Sequence, residues 1–190
     1  WKAIINEYSA EAAAKHIGEL SRFHRIAGGS PGYHQAAAYV AGFMKSLGSY
    51  EVEIDTHVSD GDRMHLQWRS MPGWDVQAAE LRLEPSGEII SRYADMPVCL
   101  FEYSRGAEVT APAVFVGPGV SAADYEGTDV AGKIVLATGE GDAVHREAVL
   151  KRGAAGVVVG PPASDSLASL YPDLVRVQRL RSNKSLREKS

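Results

Sequence analysis

Cysteine is almost absent from the sequence, since Cys99 is the only one among 190 residues. A single cysteine excludes an internal disulfide framework and a cluster of thiolate metal ligands. Long apolar runs are absent too, and no stretch approaches the ~20 consecutive apolar residues that a membrane-spanning helix needs. The sequence therefore predicts no membrane span, and its cysteine content fits both a reducing and an oxidising compartment.

The sequence also has no excess of positive charge, because it contains 20 Lys and Arg residues and 24 Asp and Glu residues. Proteins that bind nucleic acid usually concentrate Lys and Arg on one face, so this balance argues against nucleic acid as a partner. The exception is the C-terminal region, which carries Arg176, Arg179, Arg181, Lys184, Arg187 and Lys189. This pattern is typical of a solvated terminus, and steering of an acidic partner is the alternative.

Two helices are predicted at the N-terminal end. Ser9 is a suitable N-cap for a stripe of apolar residues spaced three and four apart. The second helix is expected to begin at Ser30-Pro31, which supplies a capping residue and a proline at the first helical position. Gly48 is expected to end this helix. The predicted buried face of the second helix consists of Ala36, Val40, Phe43, Met44 and Leu47.

From residue 49 onward the apolar period changes from 3.6 to 2. Apolar residues alternate with charged ones over residues 52–58, which predicts a half-buried strand, and the turn at 60–62 predicts a hairpin with residues 64–68. Residues 79–83 form another predicted strand, ended by the turn at 84–87. The apolar run 98–103 is predicted as a strand in which Cys99 is a small buried hydrophobe.

The second half of the chain contains a strand–helix–strand pattern. Strands are predicted at residues 113–116, 133–137 and 157–159, with a helix at 143–151 between the last two. This order predicts parallel strands joined by a right-handed crossover. The fold class is therefore α+β, or mixed α/β, with a helical segment at 1–48 and a β-rich domain at 49–190. Residues 167–180 are expected to add one more short helix or strand.

Three segments, at residues 109–117, 129–136 and 148–159, together resemble a known module, the protease-associated (PA) domain. Residues 129–136 (DVAGKIVL) are similar to its GKIVL strand, and residues 148–159 (AVLKRGAAGVVV) to the helix, turn and strand that follow. Residues 109–117 (VTAPAVFVG) match the strand that usually comes before. The resemblance implies a β-rich PA-type domain with a short crossover helix.

The front of the chain resembles the opening helices of M28-type zinc aminopeptidases and carboxypeptidases. Leu20, Arg25, the Gly29-Ser30 turn, residues 36–39 and Leu47-Gly48 carry this likeness. Some members of that family insert a PA domain into the catalytic core. The resemblance implies a metallopeptidase parent and favours an extracellular or periplasmic location, with a cytoplasmic location as the alternative.

The sequence departs from the M28 pattern at the metal ligands. That family holds two zinc ions with a His-x-Asp pair, a bridging Asp, a Glu-Glu pair, a further acidic residue and a distant His. None of the six histidines has Asp two positions later, and no Glu-Glu dipeptide occurs. We therefore predict no catalytic, metal or cofactor residue in this chain. Zinc is expected only in a catalytic core that would lie beyond Ser190.

Other candidate sites have simpler interpretations. His16 and His24 are predicted on one helix about 12 Å apart by the helical rise, too far to share one ion. Asp142 is expected to cap the crossover helix rather than to orient His145 for general-base catalysis. Asp62 and His65 are similarly expected to be exposed.

Aromatic residues supply the remaining candidate site. Trp74, Tyr93 and Tyr103 are candidates for an interaction surface because aromatic side chains bury a large area at low entropic cost. Burial in the core is the alternative, and Trp74, beside Pro72-Gly73, is the best candidate for exposure.

Three functional hypotheses follow. The chain is the non-catalytic PA-type portion of an M28-like metallopeptidase, where it shapes or covers a substrate cleft or binds a peptide or protein partner. Alternatively, it is a free-standing PA-type interaction module without peptidase activity. The third hypothesis is a complete small hydrolase with an unfamiliar site.

Overall fold

The computed structural model describes residues 9–26, 28–48, 51–160, 170–171 and 175–180. The chain divides into two units, Trp1–Val76 (unit 1) and Gln77–Ser190 (unit 2). Helices and small sheets occur together, which confirms the predicted α+β class. Residues 51–76 group with the helices, whereas the sequence placed them with the β-rich part.

Unit 1 begins with the two predicted helices, α1 (Ala10–Ser21) and α2 (Pro31–Ser46). The Ser9 hydroxyl accepts a hydrogen bond from the Ala12 N–H at 3.1 Å, and the Ser30 hydroxyl accepts one from the Tyr33 N–H. Gly48 follows the last turn of α2 with a φ of 68°, a conformation that favours glycine. Both helices and their caps are confirmed.

The predicted buried face of α2 is wrong for four of its five residues. Ala36 is buried, but Val40, Phe43, Met44 and Leu47 are between 38% and 50% exposed. The contacts of α1 with this face centre on His16, whose ring lies 4.2 Å from the Phe43 ring and whose Nδ1 is 2.8 Å from the Tyr39 hydroxyl. Helical spacing predicts which residues share a face of the helix, but it does not predict how much of that face a neighbouring element covers.

The predicted strand at residues 52–58 is also wrong. The segment is irregular, and Ile54 and Val58 are more than half exposed. The hairpin instead joins β1 (Met64–His65) to β2 (Trp68–Arg69) and turns at Leu66, not at residues 60–62. Alternation specifies which side chains share a face, but a strand also needs a neighbouring strand for its backbone hydrogen bonds. Among the described residues, no strand pairs with residues 52–58, and the nearest pairing is the isolated bridge between Asp60 and Pro72.

Unit 2 opens with an antiparallel hairpin of β3 (Glu80–Leu83) and β4 (Glu88–Arg92). The predicted strand at 79–83 and turn at 84–87 are confirmed, whereas β4 was not predicted. The Glu80 carboxylate accepts hydrogen bonds from Arg82 and Arg92, at 2.5 Å and 2.8 Å. These two guanidinium groups lower the pKa of Glu80 and tie the two strands together.

The rest of unit 2 is built on a three-stranded parallel sheet in the order β5 (Ala113–Phe115), β6 (Ile134–Ala137), β7 (Gly156–Val159). Helix α3 (Gly141–His145) continues as a π-helical turn at Arg146–Leu150 and connects β6 to β7. These predicted strands, the crossover helix and the parallel pairing are confirmed. The core between helix and sheet contains Val116, Tyr125, Val130, Val135, Ala137, Val144, Ala148 and Ala154.

Two details of unit 2 correct the sequence predictions. The side chain that caps α3 is Glu140, which accepts from the N–H groups of Asp142 and Ala143, so Asp142 lies within the first turn and is not the cap. Cys99 lies in the 3-10 helix Pro97–Cys99 and not in a strand, and it is half-buried. Pro97 lacks the N–H that a strand ladder requires.

The C-terminal region is described only in part. Of the predicted element at 167–180, residues 170–171 and 175–180 are described, and Arg181, Lys184, Arg187 and Lys189 lie outside the described residues. Arg179 forms an ion pair with the buried Glu102, and the Glu102 N–H donates to the Gln178 carbonyl at 2.9 Å. Among the helices that the structure describes, none has the length and hydropathy to cross a membrane.

Candidate functional site

A cavity of about 890 Å³ lies within unit 2. Its volume falls in the ~300–1,000 Å³ range of small-molecule and cofactor pockets. Five parts of the chain form its walls: the β3–β4 hairpin, residues 96–107, the crossover helix, residues 155–159 with β7, and two residues of the segment 175–180. The lining residues are Ala79, Glu80, Leu81, Ile90, Ser91, Met96, Cys99, Leu100, Phe101, Ser104, Arg105, Gly106, Ala107, His145, Val149, Ala155, Gly156, Val157, Val158, Val159, Val175 and Leu180.

The position of the cavity relative to the sheet follows from these residues. Consecutive side chains of a strand point to opposite faces, so a cavity on one face would be lined by alternate residues. Here residues 155–159 all line it. Strand β7 is at one end of the sheet, and its outer edge is the side that faces away from β6. The cavity therefore runs along this outer edge.

The walls of the cavity are mainly apolar. Glu80 is among its polar residues, but Arg82 and Arg92 already neutralise its carboxylate. The Ser104 hydroxyl donates to the Phe101 carbonyl at 2.6 Å. Arg105 is exposed. The polar groups other than His145 are thus paired within the fold or exposed to solvent, apart from the hydroxyl of the half-buried Ser91.

His145 is the buried polar group of the cavity. His145 is 8% exposed, and no hydrogen-bond partner for its ring is found among the described residues. Burial lowers the pKa of His145, and the nearby Asp142 carboxylate offsets this only in part. The ring is therefore neutral at pH 7, with one nitrogen able to donate and the other able to accept a hydrogen bond.

The three predicted aromatic residues do not come together at this cavity. Trp74 belongs to unit 1 and is half-buried. Tyr93 is half-buried in unit 2, and Tyr103, at 7% exposed, is part of the buried interior. Neither tyrosine lines the cavity. Their role in an interaction surface stays a prediction.

Two of the pairs considered from the sequence, His16 with His24 and Asp62 with His65, have other neighbours in the structure, whereas Asp142 stays near His145. Helix α1 ends at Ser21, so His24 lies beyond it and does not share a helix with His16. Asp62 forms an exposed ion pair with Arg69 at 3.7 Å, and the His65 ring stacks on Trp68. The part of the chain that the structure describes brings no three His, Cys, Asp or Glu side chains together, so its residues do not fit the zinc centre of the M28 pattern.

Comparison with known proteins gives no match to a family model, a curated protein or a solved structure.

Proposed function

We propose that this chain is the non-catalytic, PA-type accessory portion of an M28-like metallopeptidase, and that unit 2 binds a peptide or protein segment in its cavity. In this role the module shapes or covers a substrate cleft by supplying surface. The observation that carries the proposal is the largely apolar cavity along the edge of β7 with which no described strand pairs.

The segments that resemble a PA domain supply the sheet next to this cavity. Residues 109–117 contain β5, residues 129–136 lead into β6, and residues 148–159 contain the end of the crossover helix and β7. The likeness and the cavity therefore concern the same part of the fold, which supports assigning the binding role to this module.

The chemistry of the lining favours binding over catalysis. General acid–base and nucleophilic catalysis need a base within hydrogen-bond reach of a second reacting group. Among the described residues, His145 has no hydrogen bond to a hydroxyl, thiol or carboxylate. A large apolar wall with one buried polar group is instead typical of a recognition site, where polar groups fix orientation.

Two assays on the full chain test this proposal. Peptide-array binding is expected to retain apolar peptides, and hydrolysis of aminoacyl-p-nitroanilides in the presence of zinc is expected to stay at the level of a blank. Turnover that a chelator abolishes, and that survives repeated purification, would contradict a non-catalytic role. Absence of any retained peptide would contradict the binding role.

A free-standing PA-type interaction module is the second candidate function. The observation that favours it is that all the described residues lining the cavity belong to unit 2. The reading frame downstream of Ser190 separates the two candidates. A continuation that encodes His-x-Asp and Glu-Glu patterns supports the accessory role, and a stop codon supports the free-standing module.

A further inference from the structure

The backbone of β7 has hydrogen-bonding groups on its outer edge as well as its inner edge. The Ala155 N–H donates to the Lys133 carbonyl at 2.9 Å, towards β6. Backbone groups of successive residues point to alternate edges of a strand, so Val157 also faces β6, whereas Gly156 and Val158 face outward. Among the described residues no strand pairs with this outer edge.

An unpaired strand edge is a template for another strand. Where its surroundings are polar, water satisfies the outer groups. Here the edge borders an apolar cavity that Ile90 and Met96 line together with Val157 to Val159. A ligand that fills this space must therefore supply both backbone hydrogen bonds and apolar side chains.

We infer that the cavity takes an extended apolar peptide segment, which adds as a strand along the outer edge of β7. This inference rests on the proposed function and specifies its ligand class and binding mode. Gly156 and Val158 bond the peptide backbone, and alternate side chains of the peptide enter the cavity. The buried imidazole of His145 meets a polar atom of the peptide that would otherwise lack a partner.

The charges at the site favour an apolar peptide over a basic one. A basic peptide needs an available carboxylate, but the Glu80 carboxylate is held by Arg82 and Arg92. The neutral state of His145 at pH 7 adds no charge that would select an acidic peptide, and the charge of Arg105, the other basic residue of the lining, is exposed to solvent.

The test uses the full chain and a fluorescein-labelled six-residue peptide in which valine alternates with threonine. Fluorescence polarisation is expected to show saturable binding. Two further peptides carry N-methyl groups on the odd or on the even backbone amides. Strand addition uses one of these two sets, so one methylated peptide is expected to bind at least about tenfold more weakly, since each lost hydrogen bond costs about 1 kcal/mol.

A matched pair of variants locates the binding. Ile90→Glu places a charge in the cavity wall, at a residue that is 59% exposed and so does not support the core. Leu83→Glu makes the same change at a 50% exposed residue of the same hairpin that does not line the cavity. The first is expected to weaken binding about tenfold or more by burying an unpaired charge, and the second to leave it unchanged.

The outcomes separate the inference from the proposed function. If both methylated peptides bind as tightly as the parent peptide, strand addition is overturned while peptide binding stands. If Ile90→Glu binds like the wild type, the cavity is overturned as the site. If neither this peptide nor any member of the array binds, the proposed function fails as well.

Discussion

Asp60 shows how one carboxylate organises a loop of unit 1. One of its oxygens accepts hydrogen bonds from the N–H groups of Asp62 and Arg63, at 2.9 Å and 2.8 Å, and from the Ser70 hydroxyl. These bonds favour the charged form, led by the one from Arg63, and lower the pKa of Asp60 from 3.8 to about 2. Because the folded pKa lies below the unfolded one, the stabilisation is complete above pH 4 and disappears as the pH falls towards 2.

The corresponding prediction concerns Asp60→Asn, which keeps an acceptor oxygen but removes the charge. The wild type is expected to lose more stability than the variant between about pH 4 and 2. Urea unfolding followed by circular dichroism at several pH values measures this. Asp62→Asn, which removes an exposed carboxylate together with its 3.7 Å surface ion pair to Arg69, is the control. Parallel pH profiles for the wild type and Asp60→Asn would refute the role of the charge.

His145 predicts a second pH dependence, in unit 2. Its folded pKa is lowered, chiefly by burial, from an ordinary value of 6.5. The unfolded chain therefore binds a proton before the folded chain does, so stability is complete above about pH 6.5 and falls as the pH drops below it. His145→Gln keeps a polar group without this titration and is expected to flatten the unfolding profile between about pH 7 and 5. An unchanged slope would show that His145 is not buried in solution.

At the scale of elements, the glycines of α2 provide a matched pair. A Cβ at Gly42 would meet no atom within 4 Å, whereas a Cβ at Gly32 would collide with the His24 backbone carbonyl. Gly42→Ala is expected to stabilise the helix by about 0.5–1 kcal/mol. Gly32→Ala is expected to destabilise it by about 1–3 kcal/mol, because the backbone must move. Thermal unfolding of the two variants measures both changes in stability. Equal effects of the two substitutions would contradict the close approach of α2 to His24.

Elements with local signals were predictable from the sequence. Ser9, Ser30 and Gly48 mark helix ends through their own hydrogen bonds and backbone angles, and they were placed correctly. Strands β6 and β7 were predicted because both are apolar runs bounded by glycine turns. The segment 52–58 failed for the opposite reason, since alternation carries no information on whether a partner strand is present.

The candidate site was not predictable in the same way. Its walls come from five parts of the chain, and no motif joins Ile90, His145 and Val158. From the sequence, His145 was interpreted only as a possible partner of Asp142, and Cys99 only as a core residue. What makes these residues a site is their arrangement around one cavity, which depends on tertiary packing.

At the scale of the whole molecule, two units carry different kinds of apolar surface. In unit 1, α2 exposes Val40, Phe43 and Leu47 in part. In unit 2 the buried core lies between the crossover helix and the sheet, and the apolar cavity lies at the edge of that sheet. A parallel sheet that ends in an apolar edge strand is prone to pair with a further strand. This property of unit 2 connects its fold to the proposed binding role.

Amide hydrogen exchange of β7, measured by nuclear magnetic resonance with and without the alternating valine–threonine peptide, tests this claim most directly. In the free protein the Val157 amide, directed at β6, is expected to exchange slowly and the Val158 amide quickly. Adding the peptide is expected to slow exchange at Gly156 and Val158 and to leave Val157 unchanged. Protection that appears elsewhere, or a Val158 amide already slow in the free protein, would contradict the account.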